Sequence, residues 1–389
     1  MFKIWALISI VYISTLFQLL SSDNNVSQFT ITNSDSIKTI NILCVGDLMC
    51  HKPQAEGAYI DSLKSYDFNP SFRFVRELLS SGDIVIGNFE TVTAGGAYSG
   101  YPLFNSPDEF LHAIKNAGFN VLVTSNNHCL DRGEKGLIRT ANLIDDLGIT
   151  RVGTFLSSND RDSIRVLKIA DFQIAVLAYT YGTNGVRLPE AKSYLVNQIN
   201  DNQISSDINR CKILGVDLVL VYFHFGDEYQ LYPNSWQKSI VEKTFSLGAD
   251  IIISSHPHVI QPLELIELGD ESKLDTGLVA FSLGNFISNQ RGRFKQAGVI
   301  LEIELEKNLV TNTSRISLVK SHPTWVHIER INAKTSHVII PLTSYNKELY
   351  SKQDLSLMEQ ARSDTWNQLS GEHKILSNKK SSGGTKSPD

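Results

Sequence analysis

Two of the ten histidines in this 389-residue chain, His256 and His258, stand one residue apart, directly after the apolar run Ile251 to Ile253 and two serines. The same setting recurs. Asp47 and His51 follow "NILCVG", Asn88 and Glu90 follow "DIVIG", and Asn126, Asn127, His128 and Asp131 follow "VLVTS". His224, Asp227 and Glu228 follow "LVLVY", and Asn285 follows "AFSLG". A single histidine after a strand is usually a satisfied structural residue. Clusters of carboxylate, amide and imidazole repeated at strand ends point instead to a shared site. Those donors without thiolate suit Zn, Mn, Fe or Ni. A paired-metal hydrolase needs a bridging carboxylate and several neutral ligands to complete two shells. In extended backbone, His256 and His258 would project to one side, with Pro257 stiffening the pair. One histidine per ion, or both on one ion, are the arrangements this permits.

The elements that must position these groups follow a repeating order of amphipathic helix, glycine stop, apolar strand and polar cluster. "RFVRELLSSGDIVIGNFE", "EFLHAIKNAGFNVLVTSNNH", "INRCKILGVDLVLVYFHFGDE" and "QKSIVEKTFSLGADIIISSHPH" all show it. Gly82, Gly118, Gly215 and Gly248 sit where a helix end takes a left-handed residue. The strands read as buried α/β strands. From Gly277 onward, "AGVILEIELEK" and "RISLVKSHPTWVHIERIN" alternate as half-exposed antiparallel strands. The fold class expected is α/β with mixed sheets. Its ligand edge lies outside the carboxyl ends of the strands, and "LSLMEQARSDTWNQLS" forms a last helix.

Net charge is −5 and the isoelectric point about 6.1, which argues against a nucleic-acid partner. At 42% hydrophobic, the chain can bury a large core. Lys3 followed by the apolar stretch Ile4 to Leu20 reads as a secretory signal or an uncleaved membrane anchor. The expected organisation is a signal or anchor over 1–22, a polar linker over 23–38, one domain over 39–345, and a helix with a disordered low-complexity tail over 346–389. The expected location is outside the cytoplasm: membrane-anchored, periplasmic or extracellular. Four scattered cysteines make no disulfide framework, and Cys44 and Cys211 read as small buried hydrophobes.

The series "GDLM", "GNFE", "SNNHCLDRG", "HFGDEY", "SSHPHVIQPLE" and "SLGNF", in that order from Ile40 to Ser288, resembles the CapA family of poly-γ-glutamate capsule biosynthesis proteins. That family is itself similar to calcineurin-like metallophosphatases. The resemblance implies a metallophosphatase-like β-sandwich flanked by helices, four layers αββα, with one or two divalent ions (Mn, Zn or Fe) at the strand ends. It casts Asp47, Glu90, Asn127, His224, His256 and His258 as metal ligands, with Glu90 bridging. His128 becomes the general acid, oriented by Asp131. The function implied is an exported protein of cell-envelope or capsule polymer biosynthesis, a hydrolase using metal-activated water. The alternative is a non-catalytic, membrane-anchored component of a polyglutamate synthesis or export complex. Partners implied are an anionic polymer such as poly-γ-glutamate and membrane synthase subunits.

Two departures stand out. Met49 replaces the expected first-motif histidine, with His51 two residues further on, and Glu90 replaces an aspartate. Asn88 reads as a turn former as much as a ligand, and Asn285 as a turn holder or a support for a ligand histidine's backbone. Asp227 and Glu228 read as residues supporting the ligands or facing substrate rather than ligands themselves, and Tyr229 as core or pocket wall. His112, His322, His327, His337 and His373 read as structural. The segment Glu90 to Phe110 reads as a loop over the site. Arg132 is the only arginine within the motifs, which disfavours a plain nucleotide phosphodiesterase.

Overall fold

Continuous apolar runs build the central strands seen in the computed structural model, which describes residues 36–331 and 334–369. The apolar N-terminal stretch and the low-complexity tail, with His373, lie outside the described residues. Among the described residues no helix is long and apolar enough to cross a membrane.

The strands are β1 (Ile37–Leu48), β2 (Tyr59–Ile60), β3 (Ser65–Tyr66), β4 (Ile84–Phe89), β5 (Val121–Val123), β6 (Thr150–Val152), β7 (Arg165–Ile169) and β8 (Phe172–Thr180). They continue with β9 (Leu218–His224), β10 (Ile251–Ser255), β11 (Leu263–Glu267), β12 (Thr276–Ala280), β13 (Asn285–Ile287), β14 (Ala297–Asn308), β15 (Thr313–Ile331) and β16 (Lys334–Pro341). The helices are α1 (Lys52–Ala58), α2 (Arg76–Ser80), α3 (Asp108–Ala117), α4 (Gly133–Asp146), α5 (Ser158–Arg161), α6 (Asp201–Leu214), α7 (Ser235–Ser246) and α8 (Lys352–Gln368).

One sheet runs β16-β15-β14-β1-β4-β5-β6, with β13 beside the end of β1; the other runs β11-β12-β10-β9-β8-β7. β1, β4, β5 and β6 are mutually parallel, as are β8, β9, β10 and β12. β14, β15 and β16 are antiparallel, so the change of pattern after Gly277 marks a change of sheet type.

Alternation along β1 builds the layers. Ile42 and Cys44 face inward, with Ile84, Ile86 and Val121, against Ile174, Leu220, Tyr222, Ile251 and Ile253 of the second sheet. Leu43 and Val45 face outward with Val85 and Leu122, against Phe110 and Ile114 of α3 and Ile144 of α4. On the far side, Val219, Val221 and Ile252 pack on Ile208 and Cys211 of α6 and Ile240 and Phe245 of α7. The order is α/β/β/α, the four-layer sandwich expected, and it explains why the central strands are apolar on both faces. Helix α8 is capped by Ser351, whose side chain accepts from Asp354 N, and it buries Met358 and Ala361 in the same inner core. All four cysteines are free and buried.

Three of the four glycine stops adopt left-handed backbone: Gly118 at φ 115°, Gly215 at 68° and Gly248 at 109°. Gly82 does not. It is needed for space, because a Cβ there would lie 2.9 Å from Leu43 and 3.1 Å from Val85 side-chain atoms.

Candidate metal centre

The carboxyl ends of parallel strands from both sheets meet at one place. β1 delivers Asp47, β4 delivers Asn88 and then Glu90, and the turn after β5 delivers Asn127, His128 and Asp131. β9 ends on His224, and the turn after β10 carries His256 and His258. Gly46 allows the convergence. Its ideal Cβ would sit 1.9 Å from Gly284 O, so only glycine lets the 284 turn close on β1. Asp47 N then donates to Gly284 O at 3.0 Å, and Asp47 falls in register with Asn285.

Asp47, Glu90 and His258 form one group whose ligand atoms all lie within 4.8 Å of one another; Glu90, His224 and His256 form a second. Glu90 is common to both, where a bridging carboxylate belongs. Its Oε1 lies 3.5 Å from His224 Nε2 and 3.8 Å from His258 Nε2, yet it is buried without a hydrogen bond. His256 Nδ1 is likewise buried and unpartnered. Unpaired buried polar atoms are costly. Two of them aimed into a nest of imidazole and carboxylate are what a cation site leaves behind, so these residues fit a divalent ion. Asn127 Oδ1 lies 2.8 Å from His224 Nε2 and points into the same space. The Nδ1 of His224 lies 3.1 Å from both Ser255 Oγ and Asn88 Nδ2, which leaves Nε2 as the nitrogen aimed inward.

Asn88 is more than a turn former. Its Nδ2 donates to Asp47 Oδ1 at 2.8 Å and to Glu90 Oε2 at 3.3 Å, and its Oδ1 accepts from Asn126 Nδ2. The sequence shows only its place two residues before Glu90 at a strand end. Glu228 was also missed: although exposed, it forms a third group with His256 and His258. Asp227 does turn away, accepting from Asn234 Nδ2 at 2.8 Å.

The histidine pair departs from the extended geometry expected. Strand β10 ends at Ser255, and His256 and His258 both have positive φ, 100° and 57°. Non-glycine residues pay for such conformations, which cluster at functional sites. The turn is held by Tyr229 N donating to Pro257 O at 2.8 Å and by Asn285 Nδ2 donating to His258 O at 3.3 Å. Asn285 therefore supports the backbone of a candidate ligand histidine. The two rings are 5.9 Å apart, and each serves a different group around Glu90.

His51 does not replace the histidine missing at Met49. It caps α1, its Nδ1 lies 3.2 Å from Gln54 Oε1, and it accepts from Asn289 N at 3.3 Å. Met49 is buried and contributes backbone only: its N donates to Ile287 O and its O accepts from Gln54 Nε2.

The two carboxylates are driven apart. Burial would raise Asp47, but the hydrogen bond and charge of His258 hold it well below the usual carboxylate range. Burial, and then the Asp47 charge, push Glu90 well above that range. Burial and neighbouring His256 keep His224 far below the usual imidazole value, and burial with His258 brings His256 down to about 3. Neutral imidazoles beside an ionised aspartate are ready to ligate.

His128 Nδ1 lies 2.7 Å from Asp131 Oδ2, which also accepts Phe104 N at 2.7 Å. Phe104, from the loop after Glu90, stands edge-on to His128 with centroids 4.7 Å apart. That loop does cover the site. Tyr181, which the sequence did not single out, lies 4.6 Å from the His256 ring and 6.3 Å from that of His224.

Residues 41–290 match the family described as bacterial capsule synthesis protein PGA_cap. The chain belongs to this family. It is 26% identical over 280 residues to the capsule biosynthesis protein CapA of Bacillus anthracis, an alignment covering 69% of this chain and 64% of that protein. It is 27% identical over 293 residues to the PGA biosynthesis protein CapA of Bacillus subtilis, covering 71% and 70%. Among solved structures, a phosphatase of Mycoplasma pneumoniae aligns with a TM-score of 0.45 at 17% identity, over 74% of this chain and 94% of that one.

Proposed function

We propose that this PGA_cap family member is a metal-dependent hydrolase acting on a capsule or cell-envelope polymer of the poly-γ-glutamate type. The observation that carries this reading is the buried, unpartnered Glu90 Oε1 between His224 and His258. Asp47, Glu90, Asn127, His224, His256 and His258 would hold one or two divalent ions, with Glu228 at the open side. When bound, such ions supply Lewis-acid activation of water and of the scissile group.

The rest is done by the chain. Asp131 accepts a hydrogen bond from His128 Nδ1–H and fixes its tautomer, leaving Nε2 to carry a proton to the leaving group. Phe104 packs on that imidazole and shields it from bulk water. Asn88 and Asn126 hold Asp47 and Glu90 in place, so little reorganisation accompanies reaction. The apolar stretch Ile4 to Leu20 supports work outside the cytoplasm, beside the membrane synthase that makes the polymer.

The test uses the full chain. Purified protein should contain one or two divalent ions and cleave γ-linked glutamate oligomers, and His128→Ala should abolish cleavage while keeping the metal. A metal-loaded protein that leaves such oligomers intact would sink the hydrolase reading and favour a non-catalytic part of a synthesis complex.

A further inference from the structure

The loop between β13 and β14 carries three cations, and they are not treated alike. Arg293 pairs with Asp364 at 2.8 Å. Arg291 donates to Val326 O at 3.1 Å and to Asn289 Oδ1 at 3.4 Å. Lys295 Nζ has neither a carboxylate nor a hydrogen-bond acceptor among the described residues; it sits over the ring of Tyr229, 4.0 Å from the centroid. A lone lysine on a surface is ordinarily just solvated. This one is half-buried and pinned.

The pinning comes from the metal centre itself. Asn285, which holds the His258 carbonyl, also donates to Lys295 O at 2.9 Å. Tyr229 is fixed in left-handed backbone at φ 64° by its bond to Pro257 O, between the two histidines, and its ring lies 6.2 Å from that of His258. Glu228, the nearest carboxylate to Tyr229 in sequence, hydrogen-bonds the Tyr229 side chain and groups with His256 and His258, and it forms no ion pair with the ammonium. The same residues that shape the ligand turn thus hold a positive charge one ring away from it, with its counter-charge missing.

We propose that Lys295 over Tyr229 is a substrate subsite that takes a free carboxylate of the polymer, one unit away from the bond being cleaved. This rests on the hydrolase reading above for the position of that bond. A point-charge ammonium suits a singly charged carboxylate, whereas a phosphate is better met by an arginine fork or several donors. The Tyr229 ring, 40% exposed, offers an apolar face to the methylenes that flank such a carboxylate. Lys295 is therefore a specificity-determining residue and takes no part in proton transfer.

The test measures binding of short γ-linked glutamate oligomers, and of the same oligomers with their free carboxylates amidated, to the full metal-loaded chain. Wild type should prefer the acidic form by about tenfold, the scale of one charge-assisted hydrogen bond at a partly desolvated site. Lys295→Met should bring that preference close to one with metal content unchanged, and Lys295→Arg should restore most of it. A preference that survives in Lys295→Met, or is absent from wild type, overturns the subsite. Cleavage assayed in parallel separates the two proposals. Preference without cleavage removes the hydrolase and leaves the carboxylate site. Cleavage without preference removes the carboxylate site and leaves the hydrolase.

Discussion

His128 and Asp131 are joined through Nδ1 and Oδ2 at 2.7 Å, with both side chains almost fully buried. The carboxylate fixes which ring nitrogen is left for chemistry. Asp131→Asn keeps the shape but can present an amide hydrogen to the wrong nitrogen. Turnover should drop by about 10- to 100-fold, with metal content unchanged and the alkaline limb of the pH–rate profile, where a general acid loses its proton, displaced. An unchanged profile would mean that Asp131 only packs.

Glu90 separates a ligand from a structural carboxylate. Its Oε1 has no hydrogen-bond partner among the described residues, so Glu90→Gln should cost the metal-free protein little and leave its Tm unchanged or raised, because an unpaired buried acid is gone. The same change should lower bound metal and the stabilisation that metal confers. Elemental analysis beside calorimetry with and without chelator checks both. Lost stability in the chelated protein with metal retained would contradict the assignment.

Two histidines outside the ligand set predict acid lability. Burial brings His51 down to about 4 and His337 to about 3 from 6.5. The unfolded chain binds those protons near pH 6.5, whereas the folded chain resists until pH 3 to 4. Both groups therefore contribute stability above pH 6.5 that is lost as pH falls through that window. The Tm of chelated protein should decline on acidification, and His337→Leu should make the decline shallower whatever its effect at neutral pH.

Gly46→Ala tests the approach that aligns Asp47 with Asn285. A methyl 1.9 Å from a backbone oxygen cannot be absorbed by a rotamer change. The expected loss is about 2–4 kcal/mol, read by denaturant unfolding, with weakened metal binding because Asp47 moves with its strand.

Much of this was legible because strand chemistry is local. Apolar runs such as Leu218 to Phe223 announce a buried strand, and the polar residue that ends it, His224, announces the ligand edge. The motif series then tied the separate ends together and implied the four-layer sandwich. What stayed hidden depends on contacts across the fold. Nothing around Asn88 shows that its amide spans Asp47, Glu90 and His224. Tyr181 is isolated in sequence from the histidines it touches. His256 and His258 looked extended because Pro257 stiffens but does not dictate its neighbours, and the left-handed turn is imposed from outside by Tyr229 and Asn285. Gly82 looked like a helix cap because helix stops and tight packing use the same residue.

The ligands come from both halves of the sandwich: Asp47, Glu90 and Asn127 from one sheet, His224, His256 and His258 from the other. Neither sheet alone supplies the two groups that share Glu90, so an ion bound between them would record closure of the two halves on each other. Affinity order alone would favour whichever competing ion binds these donors most tightly, but a site that does not yet exist cannot compete. For an ion held across the two sheets, the surroundings in which the sandwich closes would therefore decide which one is kept.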